Sequence, residues 1–177
     1  MNIEVEIKVK IEDIEKFKIE LKQLTTYIKN KHQIDEYFTA HNEDFFAPKN
    51  PTKWFRIRRE GEKTGLHFHL AIHEGIKHTK EYETNVENYE MMKKILEQLK
   101  FKHVVTVDKE REEYETDKLI ITIDKIKDLG TFVEVEAKNK FETLEEARSA
   151  CLGFIDNMDI KYELLDDVGY PMLILRK

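Results

Sequence analysis

Like charges recur two residues apart along several stretches of this sequence: Glu4 and Glu6 followed by Lys8, Arg56 and Arg58, Lys109 and Arg111, Glu134 and Glu136. Alternate side chains of a β-strand share one face, so each pair presents two carboxylates or two cations to the same side. A solvated strand face needs charge, but it has no need to place Arg with Arg and Glu with Glu. If the strands close into a barrel, the pairs line its interior together. Guanidinium and ammonium groups neutralise phosphate oxygens, and clustered carboxylates hold hard divalent cations that bridge the same phosphates. A metal-bound triphosphate would satisfy both sets. Taken singly, each strand also fits an alternately charged face in water.

Three histidines, His67, His69 and His73, fall on one face of one stretch and are expected to point into the same interior. They could bind a transition metal, exchange protons or contact a base or ribose. Filling the place of other polar lining residues is the simpler reading. Trp54 and Phe55, beside the arginines, could stack on a nucleobase, although aromatic residues in strands are more often core. Alternation favours Trp54 as the inward one.

The elements that would carry these residues are legible from periodicity. Residues 3–10 alternate apolar and charged and predict a strand. Residues 13 to about 29 place Ile14, Phe17, Leu21, Leu24 and Ile28 at helical spacing. A short strand is expected at 35–39, a Pro- and Asn-bearing loop at 40–52, and strands at 53–60 and 66–73 about a hairpin turn at 62–64. A strand at 80–87 precedes a helix capped by Asn88, repeating the strand-then-helix order of the N-terminus. Strands at 104–114, 119–125 and 131–138 should form a meander, followed by a helix from Thr143 to about Met158. The expected class is α+β: about eight strands in a mainly antiparallel barrel, with helices packed outside.

With 177 residues and 40% hydrophobic content, one domain over 1–177 is expected. A net charge of −6 argues against a general nucleic-acid surface. Cys151 is the single cysteine, which excludes an intramolecular disulfide and a multi-thiolate zinc site; it reads as a small buried helix residue. The N-terminal residues lack the apolar core of a signal peptide, and no stretch has the apolar length of a membrane span, so a cytoplasmic location without membrane partner is expected.

Glu4-Val5-Glu6-Ile7-Lys8 resembles the N-terminal ExExK signature of the CYTH, or triphosphate tunnel, superfamily. The later blocks strengthen the resemblance: Gln33-Ile34-Asp35-Glu36-Tyr37-Phe38, Asp44-Phe45, Phe55-Arg56-Ile57-Arg58-Arg59, the run from Val107-Asp108-Lys109 through Arg111 to Tyr114, Asp124, and Leu129-Gly130-Thr131-Phe132-Val133-Glu134-Val135-Glu136. Their order is similar to the class IV adenylate cyclase-like branch. The resemblance implies an eight-stranded antiparallel tunnel in which Glu4, Glu6, Asp124, Glu134 and Glu136 ligate Mg or Mn. It implies that Lys8, Arg56, Arg58, Lys109 and Arg111 hold the triphosphate; Tyr37, Lys80 and the three histidines His67, His69 and His73 are further candidates for substrate contact. Glu4, Glu6, Lys8, Arg58, Lys109 and Arg111 would carry the catalysis.

The sequence departs from that branch at particular positions. His73 stands where a phosphate-binding lysine is usual, Lys80 falls about one residue from the expected basic position, and Asp166-Asp167-Val168-Gly169-Tyr170 has Gly169 in place of a serine. The reaction implied is conversion of ATP to cyclic AMP and pyrophosphate. Hydrolysis of inorganic, thiamine or nucleoside triphosphate is the alternative within the same fold. A sensor that binds nucleotide or polyphosphate without turnover, and processing of an unusual adenylated nucleotide, also remain open. An exposed strand edge or outer barrel face could pair two subunits as a homodimer.

Overall fold

The computed structural model describes residues 2–73, 75–138, 140–165 and 168–177. Among the described residues there are ten strands, β1 (Asn2–Glu4), β2 (Glu6–Ile11), β3 (Thr26–Thr39), β4 (Lys53–Glu60), β5 (Lys63–Ile72), β6 (His78–Asn85), β7 (Lys102–Glu115), β8 (Leu119–Ile126), β9 (Gly130–Ala137) and β10 (Tyr162–Leu164). Four helices accompany them: α1 (Ile14–Leu24), α2 (Tyr89–Gln98), α3 (Leu144–Asp156) and α4 (Tyr170–Leu175).

The strands form one sheet in the order β1-β6-β5-β4-β3-β7-β8-β9-β2-β10, with antiparallel neighbours throughout. Only Val5 separates β1 from β2, and the two halves of this N-terminal segment pair in different directions. Glu4 lies opposite Thr79 of β6, whereas Glu6 lies opposite Glu136 of β9. One stretch of chain therefore joins both ends of the curled sheet. Counted as a single strand, β1 and β2 make up an eight-stranded ring with β3 to β9, and β10 is an addition outside it. The meander expected from the sequence is β7, β8 and β9.

The ring inverts the usual arrangement of a small barrel, with charge inside and apolar residues outside under helices. Val5, Ile7, Val9 and Ile11 pack with Phe17 and Leu21 of α1 and Ala147, Cys151 and Ile155 of α3, together with the outward residues of β8 and β9. Each fully buried Leu, Ile or Phe there contributes about 1.5–3 kcal/mol. A second cluster joins Phe38, Phe55 and Ile57 to Phe45 and Phe46 of the loop after β3, to Leu96 of α2 and to Met172 of α4. The caps follow the sequence: Asn88 accepts from Met91 N at 2.9 Å and Thr143 from Glu146 N at 3.1 Å.

The first helix is shorter than its apolar spacing predicts. It stops at Leu24, and Thr25 Oγ1 donates to Leu21 O at 2.6 Å. Thr26 and Tyr27 instead enter β3, where Tyr27 pairs with Tyr114 of β7, the rings edge to face at 5.4 Å. Leu24 and Ile28, expected on the buried helix face, are exposed. The β-branched and aromatic run found a long partner strand, and pairing across fourteen residues outweighed a helical period. The hairpin turn between β4 and β5 is also tighter than expected. Glu60 pairs with Lys63, Gly61 takes a positive φ of 58°, and Gly65 lies within β5.

Candidate functional site

Inside the ring, opposite residues of paired strands point the same way, so register decides which charges meet. Tyr37 and Asp35 of β3 lie opposite Arg56 and Arg58 of β4, Arg111 of β7 opposite Asp124 of β8, and Lys8 of β2 opposite Glu134 of β9. The resulting cavity of about 270 Å³ is lined by Glu4, Glu6, Lys8, Tyr37, Trp54, Arg56, Arg58, His69, Lys109, Arg111, Glu134 and Glu136. Thr79, Glu81, Glu83, Gly169, Tyr170 and Pro171 complete the lining.

One pole is acidic. Glu4, Glu6 and Glu136 face one another with Glu81 beside them. Burial, joined by the repulsion of Glu134, raises Glu6 to about 7. Burial with the repulsion of Glu6 and Glu81 raises Glu136 to about 7, and burial beside Glu6 raises Glu4 well above the usual carboxylate range. Glu4, Glu6 and Glu136 have too little positive charge near them to stay fully ionised while buried. Their number and oxygen-only chemistry fit a hard divalent cation, which would supply that charge.

The other pole is cationic and already partly organised by acids. Asp35 accepts from Arg58 Nε at 2.6 Å and Nη2 at 2.7 Å. Burial favours its neutral form, but Arg56 and Arg58 overrule that and hold it well below the carboxylate range. Asp124 accepts from Arg111 Nε at 2.6 Å, and Lys109 Nζ lies 3.4 Å from its second oxygen. Arg111 Nη2 also reaches Glu134 at 2.5 Å, and Lys8 reaches Glu134 at 3.2 Å. Against the upward push of burial, Lys8 and Arg111 keep Glu134 ionised. At Lys109 the balance goes the other way: burial and the neighbouring Arg111 lower it to about 8 against the pull of Asp124.

Several site expectations change at this point. Asp124, expected at the metal, is fully buried, absent from the cavity lining and committed to Arg111 and Lys109. Glu134 lines the cavity, but its carboxylate bridges the two poles through Lys8 and Arg111. His73 does not share the inward face of His67 and His69, because β5 ends at Ile72. It is exposed beside a separate depression with Lys77, Arg148 and Val168. Lys80, opposite Ile3 and Leu70, sits out of step with the inward Glu81 and lies off the cavity. His67 is inward but stands at the rim, against Glu83. Asp166 and Asp167, named above in the C-terminal segment, lie outside the described residues.

Glu81, Glu83 and Tyr170 also line the cavity, although the sequence analysis gave them no role there. Glu81 and Glu83 obey the same alternate spacing as the assigned pairs, and that rule applied to residues 78–85 would have found them. Tyr170 is brought in by α4, whose short apolar sequence carries no helical period. Its ring lies 4.2 Å from Lys8 Nζ and 5.2 Å from Lys109 Nζ, and its buried hydroxyl has no hydrogen-bond partner. Trp54 does face inward, edge to face with Tyr37 at 6.4 Å and Phe46 at 5.8 Å. The glycine at 169 has a local cause: a Cβ there would stand 2.9 Å from Trp54 Cη2.

The sequence profile of the CYTH domain matches residues 2–156. The chain belongs to the CYTH family. A Methanocaldococcus jannaschii protein named as a candidate adenylate cyclase is 37% identical over 136 residues, 76% of each chain. Among solved CYTH-like structures, a Pyrococcus horikoshii protein superposes with a TM-score of 0.80 at 25% identity, covering 98% of both chains. A Hippeastrum protein described as a candidate adenylyl cyclase with a dominant triphosphatase activity superposes with a TM-score of 0.65 at 17% identity, covering 96% of this chain and 91% of that one. The antiparallel ring with outer helices is thus the CYTH fold. No helix among the described residues is long and apolar enough to cross a membrane.

Proposed function

We propose that this CYTH protein is a divalent-cation-dependent enzyme that binds a nucleoside triphosphate in its tunnel and converts ATP to cyclic AMP and pyrophosphate. The observation that carries this reading is a pair of complementary shortages facing one cavity. Burial and mutual repulsion raise the carboxyls of Glu4, Glu6 and Glu136 at one end, where a cation would relieve them, and burial with Arg111 lowers Lys109 at the other despite Asp124 at 3.4 Å, where an anion would offset it. A cation-bound polyphosphate supplies both. A cavity of about 270 Å³ falls just below the roughly 300–1,000 Å³ of pockets that enclose whole small molecules. It suits the triphosphate, with the nucleoside at the mouth near Trp54.

Glu4, Glu6 and Glu136, with Glu81 beside them, would hold Mg or Mn. The bound ion would neutralise charge on the transferring phosphates. Lys8, Arg56, Arg58, Lys109 and Arg111 supply donors fixed by Asp35, Asp124 and Glu134, so little reorganisation is needed as pyrophosphate charge develops. The unpartnered Tyr170 hydroxyl and Arg56 Nε are further donors without acceptors. In the cyclase step the ribose 3′ oxygen bonds to the α-phosphorus and the bond to the pyrophosphate oxygen breaks.

Hydrolysis of the terminal phosphate is the second reading, favoured by the Hippeastrum protein's stated triphosphatase activity on the same fold. Incubation with ATP, GTP, thiamine triphosphate or inorganic triphosphate, each with Mg or Mn, separates the two. Cyclic AMP with pyrophosphate is expected, lost in Glu6→Gln/Glu136→Gln. Orthophosphate as the product would replace the cyclase by a triphosphatase, and ligand-induced stabilisation without products would leave a sensor.

A further inference from the structure

His67 and His69 occupy alternate positions of β5, and Glu83 of β6 lies directly opposite His67. A single oxygen, Glu83 Oε1, faces both rings: it contacts His67 Nδ1 and lies 3.0 Å from His69 Nε2. One donor atom from each of the three residues falls within 4.8 Å of the other two. The second nitrogen of His69, Nδ1, lies 3.3 Å from Glu81 Oε1. With Nδ1–H donated to that carboxylate, Nε2 is the nitrogen left to ligate an ion shared with Glu83, the orientation a metal-bound imidazole receives from an outer carboxylate. The room for His67 is equally specific. A Cβ on Gly65 would stand 2.4 Å from His67 Nε2, so the ring keeps its present placement only while residue 65 lacks a side chain.

We propose that His67, His69 and Glu83 form a transition-metal site at the rim of the tunnel, distinct from the carboxylate cluster of Glu4, Glu6 and Glu136. Imidazole with carboxylate selects zinc-class ions, whereas a carboxylate-only set suits Mg and Mn. Zinc-class bonds of about 2.0–2.2 Å place tetrahedral donors about 3.3 Å apart, close to the present spacing of His69 Nε2 and Glu83 Oε1. The Glu83 side chain is 44% exposed and is free to back away from His67 as an ion enters. Three protein donors leave one position open. His69 and Glu83 both line the cavity, so that position is available to water or to a phosphate oxygen held by Arg56, which lies opposite His67.

Cobalt(II) is the probe, because tetrahedral nitrogen and oxygen ligation gives it intense visible bands that an octahedral oxygen site lacks. The full chain, freed of metal, is titrated with Co2+ and the spectrum and stoichiometry are read together. One equivalent is expected to give the tetrahedral bands, and a further equivalent at the carboxylate cluster adds only weak octahedral ones. The affinity should fall at least tenfold in His69→Asn and in Glu83→Gln, and should be unchanged in Glu6→Gln/Glu136→Gln. Gly65→Ala keeps every donor and displaces only the His67 ring, so it too should weaken Co2+ binding, with far-UV circular dichroism showing the fold retained. Binding that survives His69→Asn and disappears with Glu6→Gln/Glu136→Gln would overturn the proposal, as would the absence of a tetrahedral spectrum in the folded protein.

Discussion

Asp35 accepts two hydrogen bonds from Arg58, at 2.6 and 2.7 Å, with the carboxylate 1% exposed on the inner face of the ring. The pair links β3 to β4 at the same rung and aims the rest of the guanidinium into the cavity. Truncating Arg58 leaves Asp35 buried with its hydrogen bonds lost and Arg56 only at 4.0 Å, and breaking such a pair costs about 3–5 kcal/mol. Arg58→Ala is expected to lose stability of that order in urea unfolding. Combining it with Asp35→Asn should recover part of the loss.

Acid and alkali should act on different poles. Asp35 and Glu134 are held below their ordinary values, so their contribution is complete above about 4 and is lost as pH falls further. Glu6 and Glu136 are raised to about 7, so theirs is complete below about 4.3 in the unfolded reference and is lost as pH rises through 7. In chelator the melting temperature should peak between about pH 4 and 7. Asp35→Asn should flatten the acid limb. Saturating Mn2+ should remove the alkaline one, since the bound cation favours the ionised carboxylates. Calorimetry across pH with and without Mn2+ measures both limbs.

Cation binding itself should appear as stabilisation. An ion at a hundred times its dissociation constant adds about 2.7 kcal/mol. Mg2+ or Mn2+ is expected to raise the melting temperature of the unaltered protein, and Glu6→Gln/Glu136→Gln should abolish that shift together with turnover. A full shift in the double variant would remove the acidic pole from the metal site.

Tyr170→Phe separates function from folding. The hydroxyl is buried with no partner, so deleting it should leave urea stability unchanged or slightly higher. A hydrogen bond from that hydroxyl to a charged phosphate is worth about 1.5–3 kcal/mol, so kcat/KM should fall roughly 10- to 150-fold. Equal activity in the variant would remove Tyr170 from the substrate.

Trp54 is the sole tryptophan and reports on its own packing. Restoring serine at 169 forces a Cβ to 2.9 Å from an indole already set against Tyr37 and Phe46. Gly169→Ser is expected to cost about 1–3 kcal/mol and to shift Trp54 emission toward the red. Unchanged fluorescence would show that the indole had room to move.

The amino-acid pattern by itself determined the ring and most of its lining. Alternation in residues 3–10 put Glu4, Glu6 and Lys8 on one face, and the same period fixed Arg56 with Arg58, Lys109 with Arg111 and Glu134 with Glu136, because side-chain direction in a strand is a local property. Local chemistry also placed the caps at Asn88 and Thr143. Tertiary structure decided what each charge does once it points inward. Whether a carboxylate waits for a cation, as Glu6 and Glu136 do, or is already spent on arginine, as Asp35 and Asp124 are, depends on cross-strand register between residues far apart in sequence. Pairing with β7 likewise drew Thr26 to Ile28 out of the expected helix, and the end of β5 at Ile72 took His73 off the inner face. Such contacts leave no period in the sequence, because their energy arises only when distant strands and α4 close around one cavity.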